Sequence, residues 1–383
     1  MKKPTQLIHD KAERPGLNIV NPAVERGSTI IAPTREVLYG DGKVYGRMGL
    51  SVQRELESAM GVLESAEHVR LTSNGLQACA LAMAAVVRAG DHVLIADSLY
   101  GPNRRFCTRR LAAMGVKITQ FPTNAGAEIA DLILPNTKAI LIESPASLTF
   151  DVMDTPAIVA VAKQHKLITV TDNTWGVGLL HRPLDLGVDI SIQSLTKYVI
   201  GHADAMGGAV MTNSDQLATR IANCSEDWGI SLAPDDAYTA LRGLRTLPTR
   251  MKQHERCAYL LANWLAERPE VHAVLHPGLE SHPNHAIWKR DFDGANGLFG
   301  VLLTAMDNTK LDAFLEALKL FKMGFSWGGF ESLLIPCDEQ LKRLKSDGIH
   351  DRPGPLLRIH AGLEDPGDLI ADLDQAFLVM AKR

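Results

Sequence analysis

From His92 to Ser194 short, almost continuously apolar runs recur between segments of helical period, and few folds accept that pattern. The runs are His92–Asp97, Lys117–Phe121, Lys138–Glu143, Leu167–Asp172 and Asp189–Ser194. Each is too short for a core helix and lacks a polar face, which predicts strands buried on both sides. Helical segments precede or separate them at Asn74–Arg88 and Pro156–His165; the second has Thr155 at the cap position and Pro156 in the first turn. Alternation of this kind implies an α/β fold: a mostly parallel central sheet with helices on both faces. Ligands of such sheets gather beyond the carboxyl ends of the strands. Asp97, Glu143 and Asp172 stand there.

The pattern changes on either side. Residues 1–50 have little period, include the polar stretch around Asp10, Lys11, Glu13 and Arg14, and run into the glycine-rich stretch Tyr39–Arg47; they read as an extended arm. Val52–Leu63 has helical spacing. Past Leu247 a long helix over Arg250–Glu267 leads to strand-like runs at Leu298–Leu303, Leu333–Ile335 and Leu356–His360. Leu311, Phe314, Leu315 and Leu318 recur at helical spacing, as do Leu369, Ile370, Leu373 and Phe377 behind Asp365-Pro366. The division predicted is an arm over 1–50, a large domain over 51–247 and a smaller α+β domain over 248–383. At 383 residues the chain is long enough for more than one core.

Composition narrows the function. A formal charge of −4 leaves no basic surplus to neutralise phosphates, so no nucleic-acid partner is expected. No apolar stretch approaches the ~18 residues of a membrane span, and none follows Lys2 and Lys3 as in a signal peptide. Cys79, Cys107, Cys224, Cys257 and Cys337 are scattered and form no Cys-x-x-Cys pair, as suits reduced thiols. The expectation is a cytoplasmic protein.

Chemistry concentrates in Asp189–Ala203, where a strand ends at Ser194, and Ser194 and Thr196 bracket the approach to Lys197. A lysine there is partly desolvated, which lowers its pKa and frees a neutral amine as nucleophile and base. Most lysines are solvated surface charges, so Lys197 gains weight only from its surroundings. Asp172 offers a carboxylate that can keep a pyridine nitrogen protonated, or else a cap or loop aspartate. Leu71–Gln77 passes from strand into helix, and Gly75 permits a tight turn aiming the Gly75 and Leu76 amides at a phosphate. It is not a Walker loop, and no Gly-x-Gly-x-x-Gly follows a strand elsewhere. Tyr100 can stack on a planar ring or simply pack. Arg358, inside an apolar run, needs either a substrate carboxylate or a structural salt bridge.

Assembled, these residues resemble the Cys/Met-metabolism PLP-dependent enzymes, PLP fold type I, over nearly the whole chain from Tyr45-Gly-Arg47 to the last helix. The lysine segment departs from the family pattern at Leu195 and Ala203, neither of them a phosphate or proton-transfer group. The resemblance implies pyridoxal 5′-phosphate tethered to Lys197, with Asp172 on its ring nitrogen. Tyr100 would stack on the ring and share proton transfer, so Lys197, Tyr100 and Asp172 form the implied catalytic set. Gly75, Leu76, Ser194 and Thr196 would hold the phosphate. Tyr45 and Arg47 would reach the phosphate of a neighbouring subunit, implying a homotetramer built from catalytic dimers. Tyr45, Ser326, Trp327 and Arg358 would meet the substrate, with Arg358 clamping its α-carboxylate.

Within the family, three features point to one branch. Ser326-Trp327-Gly328-Gly329 has tryptophan where the γ-enzymes usually carry leucine, and Trp175 stands where they tend to carry phenylalanine. Glu143–Leu148 lacks their Asn-Pro. The implied activity is carbon–sulfur β-elimination on an L-cystathionine-like amino-acid thioether, giving homocysteine, pyruvate and ammonia. Phe325 replaces a tyrosine expected beside the Ser-Trp pair. The competing readings are a γ-lyase or γ-replacement enzyme of the family, a non-catalytic regulatory protein on the same fold, and a metal-dependent hydrolase using His282 and His285. Those histidines flank Pro283-Asn284, read as solvated loop, and have no third ligand at helical spacing, so no metal is expected.

Overall fold

The computed structural model describes residues 1–9, 19–40, 44–341 and 352–382. Seven strands, β1 (His68–Thr72), β2 (His92–Ala96), β3 (Lys117–Phe121), β4 (Thr137–Glu143), β5 (Ile168–Asp172), β6 (Ile190–Gln193) and β7 (Gly208–Thr212), form one sheet in the order β1-β7-β6-β5-β4-β2-β3. β2 through β6 pair in parallel, while β7 lies antiparallel to β6 and β1 antiparallel to β7. The chain is therefore α/β with a mostly parallel central sheet, and the five strands read from the sequence all form. Glu143 and Asp172 are register partners on β4 and β5, so their side chains reach the same sheet edge.

Helices cover both faces. α1 (Lys3–His9), α2 (Arg35–Tyr39), α3 (Ser51–Glu64), α4 (Gly75–Val86), α5 (Gly101–Arg105), α6 (Thr155–Gln164), α7 (Asp215–Asp227) and α8 (Pro234–Ala266) precede the second sheet. α4, α6 and α7 bury Leu81, Ile158 and Ile221 against one face with Ile190, Ile192 and Val210. α3 and the first half of α8 bury Leu56, Met60, Leu241 and Leu244 against the other with Ala209 and Met211. Successive β7 residues thus serve opposite cores, as strand alternation requires.

Two helix boundaries differ from the sequence reading. Asp154, not Thr155, caps α6: its carboxylate accepts the Ala157 amide, and Thr155 and Pro156 occupy the first helical positions. Thr155 is buried within the helix, and a cap must lie outside it. α8 begins at Pro234 rather than Arg250 and runs 33 residues with Pro248 inside it. An internal proline removes one amide and crowds the carbonyl four residues back. Burial of Leu244, Leu247 and Met251 around it, then Cys257, Leu261 and Leu265 beyond, offsets that cost. The division placed at 247 falls inside this helix.

The second sheet is antiparallel, β10 (Leu333–Pro336), β11 (Leu356–His360), β9 (Leu298–Leu303) and β8 (Val271–Leu275) in that spatial order. Around it stand α9 (His285–Asp291), α10 (Asn308–Ala317), α11 (Asp338–Leu341) and α12 (Pro366–Met380). α10, α12 and the second half of α8 share its core through Phe314, Phe377 and Leu261.

At the other end, α1 docks on its own chain: Lys3 Nζ donates to the Leu63 carbonyl at 2.8 Å, and Arg245 Nη1 to the Leu7 and Ile8 carbonyls at 3.1 and 2.8 Å. The stretch 19–40 leaves Ile31 and Tyr39 exposed and holds only α2 as regular helix. Asp10, Lys11, Glu13 and Arg14, and Asp41–Lys43 of the glycine-rich stretch, lie outside the described residues. Among the described residues no helix is long and apolar enough to cross a membrane, and no group of His, Cys, Asp and Glu could hold a metal ion. The five cysteines are unpaired.

Candidate active site

The carboxyl ends of β2, β4, β5 and β6 open into a cavity of about 1560 Å³ whose far wall is the loop 325–327 and β11. Ten of the sequence-derived site residues line it: Gly75, Leu76, Tyr100, Asp172, Ser194, Thr196, Lys197, Ser326, Trp327 and Arg358. Tyr45 and Arg47 do not. Tyr45 is 46% exposed, with the Arg47 guanidinium 5.8 Å from its ring centre, on the segment that pairs through Thr29 and Tyr45.

Lys197 sits on a turn after β6, its amide on the Ser194 carbonyl at 3.2 Å. Its Nζ donates to Ser326 Oγ at 2.8 Å and lies 5.5 Å from the Trp327 ring centre. Burial pushes this amine down to about 8; the Arg358 guanidinium acts in the same direction and Asp172 opposes both. Ser326 has φ +83°, a left-handed conformation uncommon outside glycine, which needs support from its surroundings. Arg358 Nη2 donates to the Ser326 carbonyl at 2.9 Å, and the Gly328 amide to His360 Nε2 at 3.1 Å. A Cβ at Gly328 would lie 2.8 Å from the Tyr198 amide nitrogen, so this loop passes directly over the lysine backbone. Among the described residues no carboxylate pairs with Arg358.

Asp172 ends β5, and one of its oxygens is already taken. Thr174 donates to Oδ1 through its hydroxyl at 2.5 Å and its amide at 3.0 Å, while among the described residues only the Cys79 thiol, at 3.7 Å, approaches Oδ2. Burial raises the carboxyl pKa; the Thr174 bonds, Cys79 and Lys197 pull it back. Thr174 Oγ1 also accepts the Ser194 amide at 2.9 Å, tying the ends of β5 and β6 together. Neither Thr174 nor Cys79 was foreseen. The Asp-x-Thr spacing was the available signal for the first, since such hydroxyls bond locally. Beside them, Glu143 Oε2 accepts the Tyr100 amide at 2.6 Å. Burial and the charge of Asp172 push the Glu143 carboxyl well up.

The first turn of α4 faces the same cavity. Asn74 caps the Gln77 amide at 2.9 Å, and no described group takes the amides of Gly75 and Leu76. A Cβ at Gly75 would come within 2.5 Å of Ser194 Cβ and Oγ, so only glycine lets this turn meet Ser194. Thr196 is committed elsewhere: its hydroxyl donates to the Gly207 carbonyl at 3.2 Å and accepts that residue's amide at 3.1 Å. The set suits a phosphorylated pyridine aldehyde: free amides at a helix N-terminus, a carboxyl for the ring nitrogen, and an amine for the aldehyde.

One expectation is corrected. His282 is buried, not solvated; its Nδ1 accepts the Asn284 amide at 3.1 Å, and burial pushes it down to about 4. His285 opens α9, its Nδ1 3.0 Å from the Pro277 carbonyl. Both histidines are used in packing and turn structure.

The chain belongs to the Cys/Met metabolism PLP-dependent enzyme family, whose pattern matches residues 4–378. Its cofactor is accordingly pyridoxal 5′-phosphate. It is 44% identical to the cystathionine beta-lyase of Bordetella avium, over 87% of this chain and 83% of that one. It is 38% identical to the cystathionine beta-lyase MetC of Escherichia coli (strain K12), over 98% of each. Its structure matches that of a cystathionine gamma-lyase from Lactobacillus plantarum complexed with L-serine, with TM-score 0.91, 29% identity and 100% of each chain covered.

Proposed function

We propose that this enzyme cleaves the Cβ–S bond of L-cystathionine by β-elimination, releasing homocysteine, pyruvate and ammonia. The observation that carries the reading is that Ser326 holds Lys197 by its hydroxyl and Arg358 by its carbonyl, at 2.8 and 2.9 Å. One residue thereby sets the base and the carboxylate clamp at a fixed separation. When bound, pyridoxal phosphate supplies an electron sink for the electrons released at Cα. Lys197 Nζ, depressed toward neutral pH, removes the Cα proton. Asp172 Oδ2 would hold the ring nitrogen charged, and Tyr100 would meet the ring. Arg358 would fix the α-carboxylate and so orient the substrate toward Lys197. The thiolate leaves from Cβ and takes a proton from Lys197 or Tyr100. The Gly75 and Leu76 amides and Ser194 would cradle the phosphate, joined by Thr196 once its hydroxyl turns from the Gly207 carbonyl.

The branch rests on Trp175 and Trp327, which both line the cavity, and is supported by the relatives named above. Trp175 is fixed by its indole N–H on the Leu298 carbonyl at 3.2 Å, and Trp327 by packing on Tyr198 with ring centres 5.4 Å apart. Tyr45 and Arg47 complete the phosphate site of a partner subunit in a homotetramer of catalytic dimers, and the enzyme works in the cytoplasm. Purified enzyme given L-cystathionine should yield pyruvate and homocysteine. Release of cysteine and 2-oxobutyrate would assign it to the γ-branch instead. Lys197→Ala should abolish both turnover and the visible absorbance of the bound cofactor.

A further inference from the structure

Behind the cavity lies a buried polar cluster that none of these roles uses. At its centre is Glu64, the last residue of α3, with no exposed surface. Asn173 Nδ2 donates to both its carboxylate oxygens, at 2.9 and 3.1 Å, Ser191 Oγ at 3.0 Å and Gln193 Nε2 at 2.5 Å. The Gln193 amide also reaches the Asn173 carbonyl at 2.9 Å. His181 holds Asn173 in turn, through its carbonyl at 2.9 Å and its Nδ1 at 3.0 Å. Gly178, at φ +64°, keeps the site open; a Cβ there would lie 2.8 Å from Glu64 Oε1. Burying a carboxylate is costly unless its oxygens are filled, and here N–H and O–H donors fill them. Such an arrangement calls for a use.

The positions of the donors supply one. Asn173 follows Asp172, and Gln193 precedes Ser194. The regular β5–β6 pairing ends at Asp172 and Ile192, beside the residues that must be held. Beyond it, the Asn173 amide on the Ile192 carbonyl at 2.9 Å and the Thr174 link to Ser194 are joined by the three-way grip of Glu64 from a third element. We infer that Glu64 is a positioning residue: its carboxylate fixes the ends of β5 and β6, and so the spacing between Asp172 and the Ser194–Lys197 turn across the bound cofactor. The inference rests on the roles proposed above for Asp172, Ser194 and Lys197.

Glu64→Gln keeps the shape but turns one acceptor oxygen into a donor facing other donors. In the holoenzyme it should speed release of pyridoxal phosphate about tenfold or more and shift the visible band of the bound cofactor. It should also lower kcat at least about tenfold while KM for L-cystathionine moves less than about threefold, the mark of a displaced reacting group rather than a lost substrate contact. Glu55→Gln is the structural control. Glu55 is buried on the same helix and paired with Arg245 at 3.1 Å. Its replacement should lower the melting temperature and leave cofactor release and spectrum unchanged. If Glu64→Gln does no more than that, the inference is wrong. Should Glu64→Gln fail to fold, Ser191→Ala removes a single donor: faster cofactor release supports the inference and unchanged release overturns it. Failure of the functional reading would show separately, as turnover and visible absorbance surviving in Lys197→Ala.

Discussion

At Lys197 burial and Arg358 pull one way and Asp172 the other, leaving the amine at about 8. Only the unprotonated amine attacks an aldehyde. Uptake of pyridoxal phosphate by cofactor-free protein should therefore accelerate about tenfold per pH unit below that value and level off above it. Absorbance traces recorded across that range read the profile, and a flat one would count against the assigned nucleophile. Glu64 makes a second titration argument. Burial lifts its carboxyl from 4.5 to about 7, so the folded chain holds this proton to higher pH than the unfolded chain does. The stabilising contribution is complete below the unfolded value and is lost as pH climbs through about 7, an effect of about 3 kcal/mol. Glu64→Gln cannot titrate, so the stability of the native chain relative to that variant should fall across the same interval in paired thermal melts. Lys197, Asp172 and Arg358 could be singled out from the sequence because each stands at a strand end or inside an apolar run, and because together they fit one chemistry that none of them indicates alone. Thr174, Cys79 and Glu64 were not, because each matters only through a partner 2, 93 or 109 residues away.

Elements were legible in proportion to how strictly their pattern follows from burial. β2 and β4 are apolar on nearly every residue because both faces are covered. β5 and β6 are buried but place Thr or Ser between apolar residues, and β3, at the sheet edge, is only partly buried. Each was found to within a residue or two. β8 escaped: it is half-buried, and His272 interrupts its short run. β7 is fully buried, but it opens on Gly208, where a Cβ would press within 2.5 Å of the Asn74 carbonyl oxygen. Caps are misread more easily than runs, since adjacent Asp154 and Thr155 both qualify by type. Asp154→Ala should cost about 1 kcal/mol by thermal melt, whereas Thr155→Ala loses no cap bond. At the first turn of α4, Gly75→Ala would drive a methyl group into Ser194. Cofactor affinity should drop at least about tenfold with helix content unchanged by circular dichroism. Retained affinity would show that this turn does not hold the phosphate.

On the scale of the whole molecule, the cavity of one chain contains ten of the residues assigned to it, and Tyr45 and Arg47 must come from elsewhere if they serve it. Co-expression of Lys197→Ala with Arg47→Ala chains tests this. Each single variant should be nearly inactive, while mixed dimers hold one site with both residues native and should regain part of the activity. No recovery would place Arg47 outside the partner's site. The arm was legible only in outline, because α1 packs on its own chain through Leu7 and Lys3 rather than reaching outward. A further consequence concerns α8. One half of this helix completes the core under the first sheet and the other half the core under the second. It acts as a shared beam instead of a hinge strap. Severing the chain at 247 would bare Cys257, Ala258, Leu261 and Leu265 on one fragment and strand Leu241 and Leu244 on a frayed stub of the other. The two sheets are therefore not modules to be exchanged between relatives at that point; a workable graft must carry the entire beam with one of them.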